Sequence, residues 1–122
     1  MKTLFLAGPF RGPSVWAVYL NVHAVEKAGH QIAEAALKQN TPVALMCPHP
    51  MTFHMEGTFT DEYWLEATME WLLRSDAVYM IPGWERSSGA TAERARAMAK
   101  GKPVFEDVAD VLSWLKATSN ES

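Results

Sequence analysis

The stretch Asp76–Lys100, DAVYMIPGWERSSGATAERARAMAK, decides the fold. Asp76–Ile81 is a short apolar run, which predicts a buried strand stopped by Pro82-Gly83. Trp84–Ser88 reads as a polar loop. An Ala-rich helix then follows over Gly89–Lys100, able to lie close against a sheet, and Gly101 ends it. A strand feeding a helix in this way is half of a βαβ unit, and the rest of the chain repeats the alternation.

Upstream, Lys2–Ala7 (KTLFLA) predicts a first buried strand that runs into Gly8-Pro9. Ser14 is placed to cap the next helix, in which Val18, Val22, Val25, Ile32 and Ala36 keep a three-and-four spacing. Gly29-His30 marks a possible kink or break. Thr41–Met46 predicts a second buried strand. Cys47–Thr60 carries two Pro, one Gly and no clean period, so it predicts a loop, of the length that usually has a job. Asp61–Arg74 predicts a helix with Trp64, Leu65, Thr68, Met69, Leu72 and Leu73 on one stripe. Pro103–Phe105 predicts a fourth strand and Val108–Lys116 a closing helix. Strands alternating with helices imply an α/β fold, a parallel sheet of four to five strands wound on both faces in three layers. Ligands of such sheets bind beyond the carboxyl ends of the strands, where the strand order switches direction. Gly8–Ser14, Cys47–Thr60 and Pro82–Ser88 all fall at that edge.

The chain has 122 residues, the size of one domain; residues 1–116 are expected to form it and 117–122 a frayed polar tail. At 48% hydrophobic it can bury a core without metals or disulfides. The 5 Trp are consistent with an aromatic-lined pocket or a subunit interface. A net charge of -3 with scattered Lys and Arg argues against duplex nucleic acid as a partner. The single Cys47 rules out an internal disulfide and suits a reducing, cytoplasmic compartment. No apolar run approaches the ~18–20 residues of a membrane span, and no signal segment is expected. There is no internal repeat or low-complexity segment.

Two segments carry candidate chemistry. In Gly8-Pro9-Phe10-Arg11-Gly12 two glycines allow close backbone approach, Arg11 adds a forked cation and the next helix adds its N-terminus. Phosphate binding and an ordinary tight turn with a surface Arg both fit. In Ser87-Ser88-Gly89-Ala90-Thr91-Ala92-Glu93 hydroxyls and a glycine open a helix, with a carboxylate one turn inside. Glu93 is then either a dipole-complementing acid or a reacting carboxylate. Phe53, Phe59, Tyr63, Trp64 and Trp84 form either a stacking wall for a ligand or part of the core. His49 and His54, with Cys47 and Glu56 nearby, match no common zinc spacing, so neither a metal nor a cofactor is expected. Arg94 and Arg96 are expected on a solvated helix face, and Asp76 is either a strand cap or a site residue.

Leu6-Ala7-Gly8-Pro9, then Asp76-Ala77-Val78, then Pro82–Glu93 are similar to the nucleoside 2-deoxyribosyltransferase-like family, in the same order along the chain. The resemblance implies a flavodoxin-like sheet and cleavage or exchange of the N-glycosidic bond of nucleosides and nucleotides. It also implies that Glu93 is the nucleophile, forming a glycosyl-enzyme that water or a second base resolves, as in retaining glycosidases. Ser87 stands where monophosphate hydrolases of the family place a phosphate-contacting Ser and free-nucleoside transferases an Asp. Gly8, Pro9, Phe10, Arg11 and Gly12 resemble the hydrolases' Gly-Ser-Ile-Arg-Gly phosphate loop, with Gly89 in the second cradle. Ser113 resembles a phosphate-contacting Ser supplied across a homodimer. The sequence departs from the family at Thr68, where an Asp often assists the sugar or base. Asp61, Glu66, His49, His54 and Trp84 are the nearby groups that could assist instead. The expected activity is hydrolysis of a (deoxy)nucleoside 5′-monophosphate. A deoxyribosyltransferase and a catalytically silent nucleotide-binding module are the alternatives.

Overall fold

KTLFLA, with no charge after Lys2, becomes the central strand. The computed structural model describes residues 1–52, 55 and 57–119. β1 (Lys2–Ala7) is followed by α1 (Val15–Lys38), β2 (Val43–Met46), α2 (Pro48–Thr52), α3 (Asp61–Leu73), β3 (Ala77–Met80), a 3-10 turn over Trp84–Arg86, α4 (Ser88–Ala99), β4 (Val104–Phe105) and α5 (Val108–Ser119). The four strands are all parallel, in the order β2-β1-β3-β4. This is the flavodoxin-like three-layer arrangement. Leu4 and Leu6 face one side of β1 and pack with Val25, Ile32, Val111 and Leu115 of α1 and α5. Phe5 and Ala7 face the other side, with Leu72, Ala90 and Ala97 of α3 and α4. The alternation along one strand thus serves two cores, as the period of two demands.

β1 exits toward α1 and β2 on one side, while β3 pairs on its other side, so the strand order switches at the carboxyl ends of β1 and β3. The amide of Ile81 donates to the carbonyl of Ala7 at 2.8 Å and holds the two exits together. A Cβ on Gly8 would lie 3.1 Å from Cβ of Ile81, so this close approach is one reason for the glycine.

Several expected elements changed. β2 is shorter than Thr41–Met46 and half-buried, because it is an edge strand paired to β1 alone. The expected loop Cys47–Thr60 contains α2; Pro48 opens that helix, where a missing N–H costs nothing. α1 runs through Gly29, whose side faces Cys47 and Leu6 closely. Within α3 only Leu72 is buried, and Leu65 of the expected stripe is exposed. α5 continues past the expected end at Lys116 to Ser119. Asp76 is a cap at the amino edge of the sheet, its Oδ2 accepting from the Thr3 amide at 2.8 Å. Among the described residues no helix is long and apolar enough to cross a membrane.

Candidate functional site

A cavity of about 630 Å³ opens at the carboxyl edge of the sheet. It lies within the ~300–1,000 Å³ range of small-molecule sites. One side is Gly8–Arg11, leaving β1. The opposite side is the amino end of α4, from Arg86 through Glu93. α2 and the first half of α3 supply the remaining wall, including His49, Phe59, Trp64 and Thr68.

Ser87 is the N-cap of α4, and its Oγ accepts from the Ala90 amide at 3.1 Å. Ser88 and Gly89, whose amides lie in the first turn and have no intrahelical acceptor, line the cavity. Glu93 sits in the second turn, too deep to serve the first-turn dipole role. It lines the cavity at 9% exposure, and its buried Oε2 has no hydrogen-bond partner among the described residues. Burial pushes its carboxyl up to about 8, because the ionised form loses its hydration without gaining a cation.

Arg11 reaches Asp61 across the rim, Nη2 to Oδ2 at 3.4 Å, with both side chains largely exposed. His49 is buried at 5% exposure, and its Nε2 donates to the carbonyls of Gly8 at 2.9 Å and Pro9 at 3.1 Å. Carbonyls only accept, so Nε2 carries the proton and Nδ1 of the neutral ring is the bare acceptor. Burial lowers the His49 pKa, with the two carbonyls acting in the opposite direction. The Phe10 ring stands edge-on to His49, with centroids 5.3 Å apart. Thr68 lines the cavity where a carboxylate was expected, and its hydroxyl donates to the Trp64 carbonyl at 2.8 Å. Phe59 and Tyr63 stack at 4.0 Å, and Trp64 meets Tyr63 edge-on at 5.3 Å.

Other expected residues lie elsewhere. Gly12 does not line the cavity; a Cβ there would lie 2.6 Å from Cβ of Ala17, so the glycine serves packing on α1. Glu66 is exposed on α3, away from the cavity. Trp84 lies outside the cavity too: its Nε1 donates to Glu106 at 3.0 Å, and the Arg94 guanidinium covers its ring at 5.0 Å. Arg94 is therefore half-buried, and only Arg96 is on an exposed face. Ser113 is exposed on α5, on the sheet face opposite α4. Phe53, His54 and Glu56 lie outside the described residues. Among the described residues no three of His, Cys, Asp and Glu gather into a metal-holding group.

The sequence reading passed over two residues. Arg86 is a second cation lining the cavity, immediately before the Ser87 cap. Asn21 of α1 donates from Nδ2 to the carbonyls of Phe10 at 3.0 Å and Arg11 at 3.3 Å. An Asn within a long helix is a weak signal that its side chain is needed, since Asn is a poor helix former.

One protein-family model, described as Domain of unknown function (DUF4406), matches residues 2–106. The chain belongs to that family. The matched DUF4406 segment runs from β1 through β4 and includes every residue that lines the cavity. α5, with Ser113, lies beyond it. No curated protein matches the chain.

Proposed function

We propose that this DUF4406 domain binds a (deoxy)nucleoside 5′-monophosphate and hydrolyses its N-glycosidic bond, with Glu93 as nucleophile. The observation that carries the reading is the buried Glu93 carboxyl, its Oε2 without a hydrogen-bond partner among the described residues, lining the same cavity as the α4 amino end and Arg11. From Gly89 to Glu93 is one helical turn, about 6 Å along the axis, comparable to a sugar with its 5′-phosphate. The phosphate takes the free amides of α4 and the Arg11 cation. The base lies toward Phe59 and Trp64. The Glu93 carboxylate attacks the anomeric carbon as the bond to the base breaks, the departing base nitrogen takes a proton from solvent, and water then hydrolyses the glycosyl ester to give the sugar phosphate and return the Glu93 carboxylate. With its carboxyl raised to about 8, Glu93 is mostly neutral at pH 7, and the positive charge developing on the sugar favours its ionised form. Ser87 and the resemblance favour hydrolysis over transfer to a second base.

A silent nucleotide-binding module is the second reading, favoured by one observation. At the position of the family's Asp the Thr68 hydroxyl donates to its own helix, and among the described residues the other carboxyl lining the cavity, Asp61, is paired with Arg11. In that reading neutral Glu93 donates a hydrogen bond to the ligand. A homodimer is also proposed, consistent with the exposed apolar side chains of Val15, Trp16, Tyr19 and Leu20 on α1.

The test is incubation with a panel of nucleosides and nucleoside monophosphates, with free base measured by chromatography. Base release from monophosphates that Glu93→Gln abolishes is the expected result. Tight binding without release selects the silent module, and base exchange in the presence of a second free base selects the transferase.

A further inference from the structure

The Gly8–Arg11 loop has all four of its carbonyls engaged by two side chains from different elements. His49 of α2 donates Nε2–H to Gly8 and Pro9, at 2.9 and 3.1 Å, and Asn21 of α1 donates Nδ2–H to Phe10 and Arg11, at 3.0 and 3.3 Å. This is costly to arrange for a bare turn. It buries a histidine and keeps an asparagine inside a helix of 24 residues. The effect follows from peptide planarity. In a trans peptide the carbonyl and the next residue's N–H point in opposite directions. Holding the carbonyls of Pro9 and Phe10 therefore turns the amides of Phe10 and Arg11 away from the clamp. Carbonyl dipoles that would repel an anion are engaged elsewhere, while oriented N–H dipoles remain. Phe10 and Arg11 line the same cavity as the α4 amino end.

We propose that Asn21 and His49 are positioning residues, a two-sided clamp that presents the loop amides to a phosphate and so makes the site select phosphorylated ligands over the corresponding nucleosides. The proposal rests on the nucleotide reading of the cavity given above. It also gives His49 a role other than proton donor to a leaving base. Its Nε2 proton is committed to two carbonyls, and releasing it would free the loop.

The experiment uses the full chain and four variants: Asn21→Leu and His49→Leu, which lose the donor without adding charge; His49→Gln, which keeps a donor near the Nε2 position; and Arg11→Ala as a loop reference. Calorimetry measures dissociation constants for the four deoxynucleoside 5′-monophosphates and their nucleosides. Nitrogen-15 relaxation follows the Phe10, Arg11 and Gly12 amides. Asn21→Leu and His49→Leu are expected to weaken the best-bound monophosphate at least tenfold while changing its nucleoside less than twofold. The loop order parameters should fall from about 0.85 toward 0.6 or below. His49→Gln should restore most of both, and Arg11→Ala should weaken the monophosphate while leaving the order parameters unchanged. Equal losses for monophosphate and nucleoside, unaltered monophosphate binding, or unaltered order parameters would overturn the clamp while the nucleotide reading stands. If the wild-type chain binds no monophosphate, the nucleotide reading falls and the clamp's role in selection falls with it.

Discussion

The two ends of the cavity are built on different terms. At the sheet end, the Gly8–Arg11 carbonyls are clamped by His49 and Asn21, Ser87 caps α4, and Glu93 is buried. At the outer end, Phe59 is 63% and Leu65 51% exposed, and aromatic contacts between neighbouring residues hold the wall together. Hydrogen bonds fix directions, whereas stacked rings fix only a surface. The contrast teaches that the sheet end is suited to a ligand part of invariant shape, such as a sugar phosphate. The outer end is suited to a flat part that varies.

The largest effect expected concerns the buried carboxyl. Glu93→Gln should reduce base release by a factor on the order of 10³ or more, the scale seen when a nucleophile is removed. Because burial raises its pKa to about 8, kcat/KM for a nucleophilic Glu93 should climb with pH up to about 8 and then level off. A profile that instead falls above pH 8 would assign Glu93 the proton-donor role and reverse the mechanism. The same shift has a stability consequence. Between the unfolded value of 4.5 and about 8 the folded chain holds a proton that the unfolded chain has released. Stability should therefore decline across that window, and urea denaturation of Glu93→Gln should show a flatter dependence.

Next in size is Gly12→Ala. The added Cβ meets the Cβ of Ala17 at 2.6 Å, and neither atom can move without its backbone, so a loss of about 1–3 kcal/mol in denaturant unfolding is expected. An unchanged midpoint would mean that the sheet end is looser than its hydrogen bonds imply. At the outer end Phe59→Ala should leave unfolding unchanged and weaken ligand binding by about 0.5–1.5 kcal/mol, the worth of one aromatic contact. An equal loss of stability would erase the distinction between the two ends. The smallest effect belongs to the exposed Arg11–Asp61 pair. Asp61→Asn should change stability by less than about 1 kcal/mol. It should modestly tighten monophosphate binding by freeing Arg11, which titration calorimetry in low salt can read.

Local signals located much of this arrangement in advance. The βα alternation, the Ser14 cap and the helix opening at Ser87 all rest on neighbours within a few residues, and all three stand in the structure. Signals with two physical causes misled. Gly12 reads as room for an anion but makes room for Ala17. Pro48 and Pro50 read as part of a constrained loop, yet in a first turn proline forfeits no intrahelical bond. Trp84 reads as a stacking ring, but its partner Glu106 is 22 residues away in the chain.

The sequence by itself determined the parallel α/β sheet and which loops and helix starts fall at its carboxyl edge, because hydrophobic period and capping chemistry act over a turn or a strand. Tertiary structure alone decided which residues meet across it. The Arg11–Asp61 pair, the solitude of Glu93 and the grip of His49 and Asn21 on one loop depend on elements brought together by the sheet. No local pattern encodes such distances, since partners 40 residues apart become neighbours only when both cores have packed.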